Sequence, residues 1–89
     1  MKGQEQEFRR KIREFVEANM NVDDDVELKD DDNIFGQGYV TSIFAMRLLN
    51  FTENLSGITI ADEDIILPNF SSIDAIASLV RKYLGVIYP

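Results

Sequence analysis

The sequence predicts an all-α fold, a small antiparallel four-helix bundle of three main helices and one short helix with a long first loop. Three observations support this prediction. Apolar residues recur at helical spacing in four segments, no segment alternates like a strand for more than three residues, and turn-forming residues separate the segments. With 89 residues, the chain forms one domain, residues 1–89, around a single small core.

The first helix is predicted from about residue 4 to residue 19. Its core face is one apolar stripe, formed by Phe8, Ile12, Phe15 and Val16. Asn19 and the polar residues after it end the helix, because Asn and Asp side chains compete with the helix for backbone hydrogen bonds.

A loop of about twenty residues follows, which is long for a compact domain and therefore needs anchors. We expect four apolar side chains to tuck beneath this loop and two glycines to supply its turns. The expected anchors are Val26, Leu28, Ile34 and Phe35, and the turn glycines are Gly36 and Gly38.

The second helix is predicted to begin at Thr41 or Ser42, because both residue types are good N-caps, and to run to about Leu55. Gly57 stops it. Because this helix is apolar nearly all round, it is either central in the fold or partly exposed for a partner. Residues 58 to 60 are predicted to be an extended linker.

The two remaining helices differ in length. Residues 62 to 66 form one acidic helical turn, which Pro68 prevents from extending. The last helix opens near Ser71, with Asp74 three residues later in a variant of the capping box, and Gly85 caps its end. Its apolar stripe is Ile73, Ile76, Ala77, Val80 and Leu84.

The composition excludes several kinds of function. The chain has no histidine and no cysteine, so it lacks the usual general base, a thiol nucleophile, a disulfide and a zinc-thiolate site. We therefore expect no enzyme activity of its own. A disordered acidic tail is excluded by the apolar content of 45%.

The net charge of -7 indicates the kind of partner. Negative charge repels phosphate backbones and anionic lipids, so we expect basic protein partners and neither nucleic acid nor membrane. No apolar run approaches a membrane span, and Met1 leads into charged sequence rather than a signal peptide. We expect a cytoplasmic monomer.

Acidic residues are densest between positions 23 and 32, a stretch that lacks the alternating order of a calcium loop. We predict no metal site there, and interpret the stretch as a solvated loop whose charge also attracts partners. A small enzyme or a metal-dependent switch built on these aspartates is the alternative.

Ser42 is the place where chemistry could attach. It follows a glycine-containing loop at the first turn of a helix, where unpaired backbone N–H groups and the helix dipole favour a negative group such as a phosphate. The other interpretation is that Thr41 or Ser42 is merely an N-cap. Local geometry does not separate the two.

A family resemblance bears on this choice. The segment from residue 34 to residue 49 resembles the segment around the attachment serine of acyl and peptidyl carrier proteins, in which a glycine stands four residues before the serine. The matching residues are Phe35, Gly38, Ser42, Ile43, Met46 and Leu49. Over most of the chain, the order of the helices, the acidic loop and the Asn69-Phe70-Ser71-Ser72-Ile73 stretch is also similar to the family.

The resemblance implies that Ser42 receives 4′-phosphopantetheine from coenzyme A through a phosphopantetheinyl transferase. The thiol of this arm would then hold an acyl or aminoacyl group as a thioester. The implied partners are the transferase, a loading enzyme (an acyltransferase or an adenylating enzyme), and tailoring or condensing enzymes. The chain looks most like free-standing carriers of unusual malonyl-type extender units in polyketide or mixed peptide–polyketide biosynthesis. Peptidyl carriers of nonribosomal peptide biosynthesis and D-alanyl carriers are broadly similar.

The chain departs from the family pattern at the residue before the serine, where Thr41 replaces the usual aspartate. In the family this carboxylate helps to position the metal and coenzyme A during modification. Either a tolerant or dedicated transferase modifies the chain, or the chain has lost modification. In the second case it is a non-covalent acidic interaction module.

The second departure is that the second helix, the main recognition surface of the family, carries only Arg47 and Glu53 as charges. We therefore expect contacts with partners there to depend more on apolar packing. For Phe44, Ala45 and Met46 the alternative is ordinary core. The predicted partner-binding residues are Thr41, Ile43, Phe44, Met46 and Arg47 beside the serine, with Asp62, Glu63 and Asp64 in the acidic turn.

Overall fold

The structure, a computed structural model, describes residues 2–20 and 25–84. Within these two ranges it contains three α-helices and no β-strand: α1 is Lys2–Asn19, α2 is Phe44–Ser56 and α3 is Ile73–Tyr83. Two short 3₁₀ turns, Asp62–Asp64 and Leu67–Phe70, lie between α2 and α3. The predicted all-α class is confirmed.

The predicted short fourth helix is not an α-helix. At Asp62–Asp64 the backbone bonds join residues three apart, with the Asp64 N–H donating to the Ala61 carbonyl at 2.9 Å and the Ile65 N–H donating to the Asp62 carbonyl at 3.1 Å. A separate 3₁₀ turn with Pro68 near its start follows. The acidic segment and the proline therefore form two tight turns, because proline has no N–H to continue a helical ladder.

The apolar stripe of α1 faces the core as predicted. Ile12 and Val16 are fully buried, and Phe8 and Phe15 are partly buried against them. The ring of Phe15 stacks on two rings of α2, with centroids 5.4 Å from Phe44 and 4.2 Å from Phe51. These stacked rings hold α1 against α2.

The loop between α1 and α2 is anchored by three fully or nearly buried side chains, Leu28, Ile34 and Val40. Leu28 and Ile34 were predicted anchors, whereas Val40 was not. The prediction was wrong for Val26, which is 36% exposed. Phe35 is partly buried and packs against the core from its edge.

Charged side chains also hold this loop to the helices. Asp30 forms ion pairs with Arg9 (3.0 Å) and with Arg13, and its carbonyl accepts the backbone N–H of Asp74 at 2.9 Å. Arg9 also contacts the Asp74 carboxylate at 2.6 Å. We call Arg9, Arg13, Asp30 and Asp74 the Asp30 network. It joins α1, the loop and the first turn of α3.

The last helix begins one residue later than the sequence indicated. Ser72 is the N-cap, and its Oγ accepts the backbone N–H of Ala75 at 3.0 Å. Ser71 belongs to the preceding turn, where its hydroxyl donates to the carbonyl of Pro68. The helix buries the first four residues of the predicted stripe, which are Ile73, Ile76, Ala77 and Val80, together with Leu79.

The C-terminal ends of the helices follow their predicted stops in part. Gly57 has a φ of +76° and its N–H donates to the Glu53 carbonyl at 2.8 Å, so it caps α2 as predicted. Leu84 follows α3 and is 49% exposed, which corrects its predicted place in the core stripe. Gly85 lies outside the described residues. Residues 58 to 60 have no regular structure, and Ile60 is buried.

Across the residues that the structure describes, no helix is long and apolar enough to cross a membrane.

Candidate functional site

The loop that leads to Ser42 is shaped by Asn33 and Ile34. The Asn33 side-chain oxygen accepts the backbone N–H groups of Phe35 (3.1 Å) and Gly36 (2.8 Å). The Ile34 carbonyl accepts two further N–H groups from residues 39 and 40, and the Ile34 N–H donates to the Ser71 carbonyl at 2.7 Å. This turn is therefore tied to the segment before α3.

Gly38 supplies the reversal within the turn. Its φ is +75°, a conformation that side-chain-bearing residues rarely adopt, and the predicted turn at this glycine is confirmed. The next residues return towards the core, where Val40 is only 7% exposed. Burial of Val40 fixes the point from which the chain enters α2.

The predicted N-cap at Thr41 or Ser42 was wrong. α2 begins at Phe44, and the preceding residue Ile43 has helical φ and ψ angles with no side-chain cap. The chain enters the helix through successive turns closed by hydrogen bonds between residues three apart. The N–H groups of residues 44, 45 and 46 donate to the carbonyls of residues 41, 42 and 43 at 3.0, 3.1 and 3.3 Å. This entry leaves the side chains of Thr41 and Ser42 directed to solvent.

Ser42 is exposed, and its hydroxyl has no hydrogen-bond partner among the described residues. The same part of the structure contains no acceptor for the backbone N–H groups of Ser42 and Ile43. These N–H groups lie at the positive end of α2. The serine oxygen is thus accessible beside two unpaired donors.

A groove with a volume of about 240 Å³ is lined by Thr41 and Ile43, the neighbours of Ser42 in the chain, but not by Ser42 itself. It is lined by residues 38–41 of the loop, by Ile43, Phe44 and Arg47 at the start of α2, and by Asn19 at the end of α1. Four predicted partner-binding residues, Thr41, Ile43, Phe44 and Arg47, therefore line the same groove. Tyr39 and Asn19 were not predicted to belong to this site.

The exposure of the predicted partner-binding residues from Ile43 to Arg47 divides them into two groups. Ile43 is 79% exposed and Met46 is 61% exposed, so the core interpretation of Met46 was wrong. Phe44 is only 6% exposed and packs on Phe15, which corrects its predicted place on the partner surface. Arg47 is exposed. The core face of α2 consists instead of Phe44, Leu48, Leu49 and Thr52.

The acidic turn at Asp62–Asp64 is bound to the end of α3. Tyr83 donates its hydroxyl hydrogen to Asp64 at 2.6 Å and accepts the backbone N–H of Ala61 at 2.7 Å. Lys82 forms an ion pair with Asp64 at 3.5 Å. Asp64 is therefore engaged within the protein, whereas Asp62 and Glu63 are exposed.

These contacts shift two pKa values in opposite directions. The Tyr83 hydroxyl stabilises the ionised carboxylate, and it lowers the pKa of Asp64, with a further contribution from Lys82. The bond to Asp64 raises the pKa of Tyr83, because an ionised phenol would face a carboxylate. The side chains of Tyr83 and Lys82 therefore connect the acidic turn to the end of α3 through hydrogen bonds and an ion pair.

No group of three or more acidic side chains within residues 2–20 and 25–84 is arranged to hold a metal ion. Asp23 and Asp24, which begin the predicted acidic stretch, lie outside the described residues. Of the rest, Asp30 is occupied by Arg9 and Arg13, and Asp32 accepts the backbone N–H of Lys29 at 2.9 Å.

Comparisons of the chain with protein-family models, with curated proteins and with solved structures find no match.

Proposed function

We propose that this protein is an acyl or peptidyl carrier, with 4′-phosphopantetheine attached to Ser42. The observation that supports this most is the presentation of Ser42, an exposed and unpartnered hydroxyl on a rigidly anchored turn at the start of a helix. The resemblance to carrier proteins around this serine supports the same conclusion. Together with this function, we propose that the three helices and the turns between them form the small helical bundle typical of that family.

The residues around Ser42 fit the phosphodiester of such an arm. Its negative charge would lie beside the N–H groups of Ser42 and Ile43 and the positive end of α2. The groove lined by Thr41 and Ile43, the chain neighbours of Ser42, leaves space near the attachment point. The buried anchor at Val40 and the turn around Asn33 hold the attachment point in place.

The part of Ser42 in its modification is that of a nucleophile. Its Oγ forms the new bond to the phosphorus that carries pantetheine in coenzyme A, and adenosine 3′,5′-bisphosphate leaves. The serine proton passes to a base of the transferase, because no side chain among the described residues accepts a hydrogen bond from the Ser42 hydroxyl. Once attached, the arm supplies a thiol that holds the acyl or aminoacyl group as a thioester.

The composition of the chain is consistent with a carrier whose reactions are catalysed by partner enzymes. A carrier needs no cysteine or catalytic histidine, since the thiol belongs to the arm and the reactions belong to the partner enzymes. We propose the transferase, a loading enzyme, and tailoring or condensing enzymes as these partners, in polyketide or nonribosomal peptide biosynthesis in the cytoplasm. The net charge of -7 favours long-range attraction to partners of positive net charge.

Incubation with coenzyme A and a broad-range phosphopantetheinyl transferase tests the proposal by intact mass. The wild-type chain should gain the mass of one phosphopantetheine, and Ser42→Ala should gain none. Ser78→Ala, which removes an exposed serine of α3, is the matched control and should behave like wild type. Gain of the same mass by Ser42→Ala would refute the site. If no variant gains mass with any transferase, the chain is a non-covalent interaction module instead.

A further inference from the structure

A second groove, with a volume of about 390 Å³, lies at the end of the molecule away from Ser42. All three helices contribute apolar side chains to it, among them Phe8, Leu55 and Val80, and Leu84 completes this apolar lining. Leu55 is in the last turn of α2 and Ser42 precedes the first, so the helix separates the two by about 20 Å. We call this groove the distal groove.

The charged side chains that line the distal groove are already paired. Glu5 forms ion pairs with Arg81 at 2.6 Å and with Arg9 at 3.1 Å, and Glu7 forms one with Lys11 at 3.8 Å. Each charged residue of the lining therefore has an opposite charge beside it. An occupant without charged side chains fits such a groove best, because covering an unpaired charge would cost free energy.

The polypeptide leaves the last helix at the wall of the distal groove. Leu84, which directly follows α3, lines the groove and is 49% exposed. Residues 85–89 come next in the sequence and lie outside the described residues. Their sequence is Gly85-Val86-Ile87-Tyr88-Pro89, which contains no charged side chain. An uncharged, largely apolar segment therefore begins at the edge of a groove whose lining is apolar and whose charges are matched.

This segment is long enough to cover the distal groove. The residues of α1 that line the groove extend from Gln4 to Lys11, a distance of about 10 Å along the helix axis. An extended chain spans at most about 3.3–3.6 Å per residue, so residues 86–88 can cover about the same distance. Gly85 precedes them, and glycine readily adopts the left-handed conformation that reverses a chain after a helix.

We propose that residues 86–88 fold back from the end of α3 into the distal groove, with the side chains of Val86 and Ile87 against Phe8 and Leu55. The occupant of the groove is thus a segment of the same chain. Burial of these apolar side chains ties the end of α3 to α1 and α2. The contact lies at the end away from Ser42 and leaves the serine accessible, so this inference is independent of what Ser42 carries.

Nuclear Overhauser effects (NOEs) in the wild-type chain test the contact directly. Cross-peaks should join the methyl groups of Val86 and Ile87 to the ring protons of Phe8. An isotope-filtered spectrum of equal amounts of ¹³C-labelled and unlabelled chains separates contacts between two chains from contacts within one, and it should contain none of these cross-peaks. Their absence from the spectrum of the fully labelled protein would overturn the proposal. Their presence in the filtered spectrum would also overturn it, because a second copy would then fill the groove.

Thermal unfolding followed by circular dichroism tests whether the contact stabilises the fold. Ile87→Ser removes most of an apolar side chain without adding a charge, and it should lower Tm by about 4–8 °C. Ile43→Ser makes the same change at an isoleucine that is 79% exposed, and this matched control should shift Tm by less than about 2 °C. An Ile87→Ser variant that melted at the wild-type temperature would mean that the segment does not lie in the groove.

Discussion

Replacement of Asp30 by asparagine should measure how firmly the long loop is held to the helices. The Asp30 carboxylate accepts hydrogen bonds from Arg9 and Arg13 of α1, and its backbone carbonyl accepts the N–H of Asp74 in α3. Asp30→Asn keeps the size of the side chain and its backbone bond, but removes the charge and one of the two acceptor oxygens. The change therefore isolates the ionic part of the network.

The expected loss in the free energy of unfolding is about 1 kcal/mol. The Asp30 side chain is 36% exposed and that of Arg9 is 24% exposed, so these ion pairs are neither fully screened by water nor fully desolvated. Pairs at the surface contribute about 0.2–1 kcal/mol and hydrogen bonds to charged groups about 1.5–3 kcal/mol. The remaining amide oxygen can still accept one hydrogen bond from a guanidinium, which keeps the loss near the middle of these ranges. For a domain of this size, Tm should fall by about 4–8 °C.

Urea denaturation at low and high salt provides the assay, with Asp31→Asn as the matched control. Asp31 is the neighbouring aspartate, is exposed and has no ion pair with the described residues. The Asp30→Asn loss should shrink in about 1 M salt, because screening weakens the pairs in the wild-type protein. If the two variants were equally stable at low salt, the conclusion that the ion pairs of the Asp30 network hold the loop to the helices would be wrong.

Three further changes test other parts of the structure. The Thr52 hydroxyl is fully buried without a hydrogen-bond partner among the described residues. Thr52→Val should therefore raise the free energy of unfolding, measured by urea denaturation, by about 1 kcal/mol. A lower free energy of unfolding in the variant would mean that the hydroxyl does form a hydrogen bond in the folded protein. The Tyr83 hydroxyl lowers the pKa of Asp64 below its ordinary value of 3.8. The hydrogen bond therefore stabilises the folded protein fully above pH 3.8, and its contribution to the free energy of unfolding is lost as the pH falls through the lowered pKa. Tyr83→Phe should bring the pKa of Asp64, followed by NMR, back towards its ordinary value and flatten the acid limb of the stability profile; an unchanged pKa would contradict the contact. Under the proposed carrier function, Thr41→Asp introduces the carboxylate that carrier proteins have before the attachment serine and should raise kcat/KM for arm transfer by about tenfold, a difference of about 1.4 kcal/mol. An unchanged rate would show that the transferase does not use that position.

Apolar spacing in the sequence predicted the helices well. The stripe containing Ile12 and Val16 in α1, and the stripe that begins at Ile73 in α3, both face the core because helical periodicity directly reports burial on one side. Gly57 ended α2 as expected, since its positive φ is a local property of the backbone.

The start of α2 could not be predicted from local preferences. Thr41 and Ser42 are good N-caps by residue type, but burial of Val40 and the tight turns after it place the first helical residue at Phe44. Helix-cap preferences describe isolated helix ends, whereas here tertiary contacts of the preceding loop decide the entry.

The exposure of Met46 was also beyond the sequence, because α2 is apolar on nearly every side and its periodicity does not single out one core face. The stack of Phe15 on Phe44 turns that side of the helix inwards and leaves Met46 outside. The Asp30 network was missed for a different reason. Its members are far apart in the chain, and only the fold brings Arg9 and Asp74 within 2.6 Å of each other.

The most direct test of the proposed carrier function is to locate the modification by fragment-ion mass spectrometry of the protein after reaction with coenzyme A and a phosphopantetheinyl transferase. A carrier should hold one phosphopantetheine, and the fragments should place all of it on Ser42, the exposed serine before α2. Absence of the added mass, or its location on any other residue, would contradict the proposal.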